Sequence, residues 1–137
     1  MLIVITKNSH EYLQEFAPVL KTTGVEYKCF NFNGSIPELP HGTTVLCLGK
    51  KVLEAYQQQG LMPKNRVVTS LRDRYYEANG TRVMFSFDPY MINLAHEYRV
   101  NIELDTVLAA RLAMTGTLNP PRGEYEWVED FSQVIGF

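Results

Sequence analysis

Two stretches of this chain leave little freedom over what it can fold into. They are Leu2-Ile3-Val4-Ile5 near the start and Val45-Leu46-Cys47-Leu48 further along. Neither alternates polar with apolar residues, as a strand with one wet face would. Both are far shorter than the roughly 20 apolar residues a bilayer crossing needs. A short, unbroken apolar run, rich in β-branched residues in the first stretch, is the pattern of a strand covered on both faces. Such strands belong to parallel sheets sandwiched between helices.

The segments between them fit that frame. Ser9 is placed to cap a helix starting at His10, with Glu11 and Glu15 early enough to favour the helix dipole. Leu13, Phe16, Val19 and Leu20 give that helix one apolar stripe, Pro18 is expected to kink it, and Gly24 ends it. Val25 to Phe32 alternates as a second strand, and Asn33 to Gly42, with prolines and glycines, reads as a loop. The third strand spans Thr43 to Leu48. Gly49 follows, then a helix from Lys50 to about Gln59 with Val52, Leu53 and Tyr56 on one side. Ala78-Asn79-Gly80-Thr81 is a hairpin signal, because Asn-Gly accepts positive φ. Arg82 to Phe87 resumes as a strand and stops at Asp88-Pro89, and a last helix is expected over Leu104 to Met114.

The order predicts an α/β, three-layer sandwich: a central four-stranded parallel sheet of order 2-1-3-4 flanked by helices, plus a small β-hairpin. A domain over residues 1–115 is expected, with 116–137 a linker or tail toward a further region.

Composition narrows the chemistry. The 137 residues are 45% hydrophobic and 20% charged, ordinary for a soluble globular domain. With neither a long apolar run nor a signal-peptide pattern, the chain reads as cytoplasmic and without a membrane partner. Two cysteines, Cys29 and Cys47, are too few for a disulfide scaffold and are read as small buried thiols. His10, His41 and His96 are scattered with no ligand spacing, so neither metal nor cofactor is expected. A net charge of −2 means that any DNA-binding surface must be local or weak.

The informative block runs from Thr44 to Ile92. It holds Leu48-Gly49 opening a helix, then Leu71-Arg72-Asp73 in a basic hairpin, then a strand breaking at Asp88-Pro89-Tyr90. In order and spacing this resembles the uracil-DNA glycosylase superfamily, whose shorter branches show a strand–Leu-Gly–helix unit, a Leu-Arg-Gly hairpin and a His-Pro-Ser-type loop. The resemblance covers about half of the chain. It implies that Gly49, Asp88 and Pro89 occupy motif positions, and it implies three losses.

The family's Gly-rich loop, with the residue that handles the attacking water, is replaced by Lys7-Asn8-Ser9-His10, where only Asn8 could stand in. The family's histidine, which stabilises the anionic leaving group, is replaced by Asp88, whose charge would oppose it. The four-cysteine iron–sulfur set of some branches is also missing. The resemblance therefore implies a glycosylase-like domain without excision activity and with no assignable catalytic residue. Such domains occur fused to phage DNA polymerases and, in poxviruses, as a polymerase processivity component.

What remains is a candidate DNA grip. Lys50 and Lys51 begin a helix, Arg72, Arg74 and Arg82 lie on the hairpin, and Tyr90 could stack on a base. The bland alternative is a solvated arginine face, with Tyr75 and Tyr76 packing the core. Three functions stay open. The first is a non-catalytic domain making weak contacts with DNA or with replication proteins, such as the N-terminal part of a phage-type polymerase. The second is an active glycosylase using an atypical residue. The third is a protein-interaction module, favoured by Glu124, Glu126, Glu129 and Asp130 around Trp127.

Overall fold

The structure is a computed structural model that describes residues 1–116. The segment read as a tail lies, beyond Gly116, outside the described residues. In chain order the elements are β1 (Leu2–Thr6), α1 (Ser9–Thr23), β2 (Tyr27–Asn31), β3 (Thr44–Leu48), α2 (Lys50–Gln58), α3 (Val68–Leu71), β4 (Tyr76–Ala78), β5 (Thr81–Ser86) and α4 (Glu97–Thr115). A 3₁₀ turn, Pro89–Asn93, links β5 to α4.

The fold is α/β, as its buried runs require. The sheet, however, has five strands in the order β2-β1-β3-β5-β4 and is mixed, not four-stranded and parallel. The pairs β1–β2, β1–β3 and β3–β5 are parallel, and β4 adds to the edge antiparallel to β5. The expected hairpin is thus part of the sheet. Its turn residues Asn79 (φ 56°) and Gly80 (φ 78°) both take the left-handed conformation that closes a two-residue loop with the right twist.

Every residue of β1 and β3 is buried. Leu2, Val4, Leu46, Leu48 and Met84 point to one face, where α1 and α4 cover them with Tyr12, Phe16, Leu20 and Ile102. Ile3, Ile5, Val45, Cys47 and Phe85 point to the other, against Val52, Leu53 and Tyr56 of α2 and Leu71 of α3. The adjacent Tyr75 and Tyr76 are both half-buried, one packed on each of these cores. Two covered faces give both a place, so neither has to face water.

Other expectations change at the helix ends. Asn8, not Ser9, is the N-cap of α1, and the Ser9 hydroxyl instead donates to Asn31 Oδ1 (3.0 Å). Pro18 lies within a helix that runs on to Thr23. The last helix starts seven residues earlier than expected, at Glu97 in place of Leu104. Its core side carries Ile102, Ala109 and Leu112, and Leu104, the expected first residue of the helix, is 56% exposed. Among the described residues no helix is long and apolar enough to cross a membrane.

Candidate functional site

In a parallel sheet, every strand delivers its carboxyl end to the same edge, and the connections there are free to vary without disturbing the core. β1 leads to α1, which returns to β2 on one side, while β3 lies on the other side of β1. The chain therefore diverges between β1 and β3, the place at which open α/β sheets bind ligands in a crevice between the loops.

Three loops meet in this crevice: the one after β1 brings Asn8, the one after β3 brings Gly49, and the one after β5 brings Asp88. Asn8 Nδ2 donates to Asp88 Oδ1 (2.7 Å), joining residues 80 apart in sequence. The same oxygen accepts from the Tyr90 backbone N–H (2.9 Å), which caps the 3₁₀ turn begun by the buried Pro89. Gly49 turns with φ 107° between β3 and α2, and a Cβ there would stand 3.1 Å from both Cβ and Oδ2 of Asp88. Its N–H donates to Ser86 O (2.9 Å), tying the β3 loop to the end of β5. Gly49 thus permits both the turn and the close approach of Asp88, and only a residue without a side chain does both comfortably.

The rim of the crevice is cationic. Lys7 follows β1, and Lys50 and Lys51 open α2; all are exposed. The first turn of α2 carries no acidic residue, so its N–H groups and dipole add to that field. Lys51 stands 4.0 Å from Glu54, an exposed pair of small energetic weight. Tyr90, next but one after Asp88, is 51% exposed.

Of the residues singled out from the sequence, the structure brings together Gly49, Lys50, Lys51, Asp88, Pro89 and Tyr90. The three arginines do not join them as one grip. Arg72 is occupied: its Nε and one terminal nitrogen grasp Asp105 at 2.8 and 3.1 Å, and its guanidinium lies 5.0 Å from the centre of the Phe87 ring. Arg74 is exposed between α3 and β4. Arg82 pairs in register with Thr44 at the amino end of β3 and approaches Gly116, away from the crevice.

Asp105 and Ser86 went unremarked in the sequence. Asp105 has no exposure, and its carboxylate accepts from Arg72 and from the Ser86 hydroxyl at the end of β5. Burial pushes this carboxyl above its ordinary value, while hydrogen bonds from Arg72 and Ser86 pull it back. The Arg72 guanidinium is held charged by the same contact. The one signal for it was an acid inside an otherwise apolar helical stripe.

Both cysteines are free thiols, and burial pushes Cys29 up to about 11. Cys47, fully buried, is pushed higher still by the same cause. Neither is suited to act as a nucleophile near neutral pH. Among the described residues no cluster of three or more His, Cys, Asp or Glu could hold a metal ion.

A concavity of about 650 Å³ lies at the opposite end of the sheet, under the 33–42 loop. It is lined by Ile36, Leu39, His41, Tyr56 and Asn79 among others. Comparison of the chain with protein-family models, with curated proteins and with solved structures found no match.

Proposed function

We propose that this chain is a non-catalytic domain of uracil-DNA glycosylase type that holds DNA weakly at the carboxyl edge of its sheet, as part of a phage-type replication protein. The observation that carries this reading is the meeting of Asn8, Gly49 and Asp88. These are the positions at which the resemblance sets the water loop, the Leu-Gly turn and the leaving-group loop.

The chemistry of that meeting supports the loss of excision. Asp88 Oδ1 already accepts two hydrogen bonds, so the group is arranged as an acceptor. A developing anion needs donors, and a carboxylate in their place raises the barrier it would have to lower. The Asn8 amide, the stand-in for the water-handling residue, is engaged by the same carboxylate.

Binding is supported by the cationic rim of Lys7, Lys50 and Lys51, by the open N-terminus of α2, and by the exposed Tyr90 ring. Lysines and helix N-terminal N–H groups serve phosphates, and an aromatic face serves an unpaired base. Arg72 has no part in this grip, because its guanidinium neutralises a buried acid.

The test pairs two assays on the full chain with a uracil-containing single-stranded oligonucleotide. Binding at low salt without release of free uracil is expected. Release of uracil would establish the glycosylase reading instead, and absence of binding at low salt would remove the DNA role.

A further inference from the structure

We propose that the outward face of α4 is a homodimer interface, in which two copies of this helix pack antiparallel about a two-fold axis. The face lies on the opposite side of the helix from Ile102, Ala109 and Leu112, which enter the core. It carries Val100, Leu104, Val107, Arg111 and Met114, spaced four, three, four and three residues apart. That alternation is the 3.5-residue repeat of a helix–helix seam. Val100, Leu104 and Met114 are 52%, 56% and 48% exposed. A helix apolar on both sides is one that expects cover on both.

The charges on this face select a second copy as the cover. Glu97 and Arg111 stand at opposite ends of the seam, both exposed, and neither joins a salt bridge among the described residues. In an antiparallel pairing centred between Leu104 and Val107, Arg111 of one copy falls opposite Val100 of the other. That is within about one helical turn of the other copy's Glu97. The two-fold repeats the contact, so each end of the seam gains an opposite-charge pair while Leu104 and Val107 meet at the centre. A surface that is its own complement under a two-fold is what an isologous dimer requires. A parallel pairing would instead set Arg111 against Arg111. A single helix pair is a small interface, so a weak dimer is expected.

Sedimentation velocity of the full chain, from low micromolar to near-millimolar concentration, tests the proposal. The expected result is a concentration-dependent dimer whose dissociation constant rises at least about tenfold on Leu104→Glu, an exposed site whose substitution leaves the circular dichroism spectrum unchanged. Arg111→Glu alone is expected to weaken the dimer, and the double exchange Arg111→Glu with Glu97→Arg to restore it. A monomer at every concentration overturns the proposal, including one whose α4 face is covered by residues 117–137. A dimer indifferent to Leu104→Glu, or one that the charge exchange fails to rescue, overturns it equally.

Discussion

At the edge of the sheet, Asp88 is half-buried and takes its hydrogen bonds from a neutral amide and a backbone N–H. Asp105, on α4, has no exposure and takes its own from a guanidinium and a hydroxyl. The two acids are close in sequence, yet they do different things. A buried carboxylate without a cation would cost several kcal/mol, so Asp105 fixes where Arg72 must go, and Arg72 in turn joins the α3–β4 connection to α4. Asp88 makes no such demand. It is held in place yet left partly exposed at the sheet edge, and a group in that situation can meet a ligand. The residues alone suggested the reverse assignment of Arg72, because an arginine in a basic segment interleaved with tyrosines resembles a phosphate grip until its partner is seen.

The sharpest way to break the contrast is Arg72→Ala. It strips the cation from a buried acid and is expected to lower stability by about 3–5 kcal/mol, read by denaturant unfolding. A loss under about 1 kcal/mol would put Arg72 among exposed pairs, where such values are usual. Next comes Gly49→Ala. A Cβ at φ 107°, 3.1 Å from Asp88, is expected to destabilise by about 1–3 kcal/mol and to displace the Asp88 side chain, visible in the amide resonances of Asp88 and Tyr90. Asn8→Ala removes a single hydrogen bond from a half-exposed carboxylate and is expected to cost about 1 kcal/mol.

The smallest effect is a pH dependence. Because burial raises the Asp105 carboxyl in the folded state, the folded protein holds that proton more tightly than the unfolded chain. The resulting stability is fully present below the ordinary value of 3.8 and is lost as pH rises through the folded value. Asp105→Asn should flatten that part of the stability–pH curve. Arg72→Ala should move it to higher pH, since the cation that pulls the value down is gone.

How much of this could be read from residues alone follows from where the information lies. β1 and β3 were legible because unbroken apolar runs admit few alternatives, and the Asn79-Gly80 turn because its backbone chemistry is local. The joining of β4 to the main sheet was less legible, since three residues carry almost no pattern. The start of α4 was hidden because Ala95 and His96 give no capping signal and both sides of the helix are apolar. Periodicity could not say which side was the core, and Leu104 faces the other one. The crevice was half-visible: Gly49 and Asp88 stood out as loop residues. The Asn8–Asp88 bond and the Arg72–Asp105 pair bridge 80 and 33 residues, and no local rule reports such pairings.

The proposed meeting of nucleic acid with the Lys50–Asp88 edge stands or falls with the salt dependence of binding to a single-stranded oligonucleotide. Fluorescence anisotropy across a salt series would compare the wild type with Lys50→Ala/Lys51→Ala and with Arg82→Ala. Weak binding is expected, with a log–log slope that falls by about 0.7 for each phosphate that the lysine variant no longer neutralises and that Arg82→Ala leaves unchanged. A slope altered by Arg82→Ala and indifferent to the lysines would contradict it.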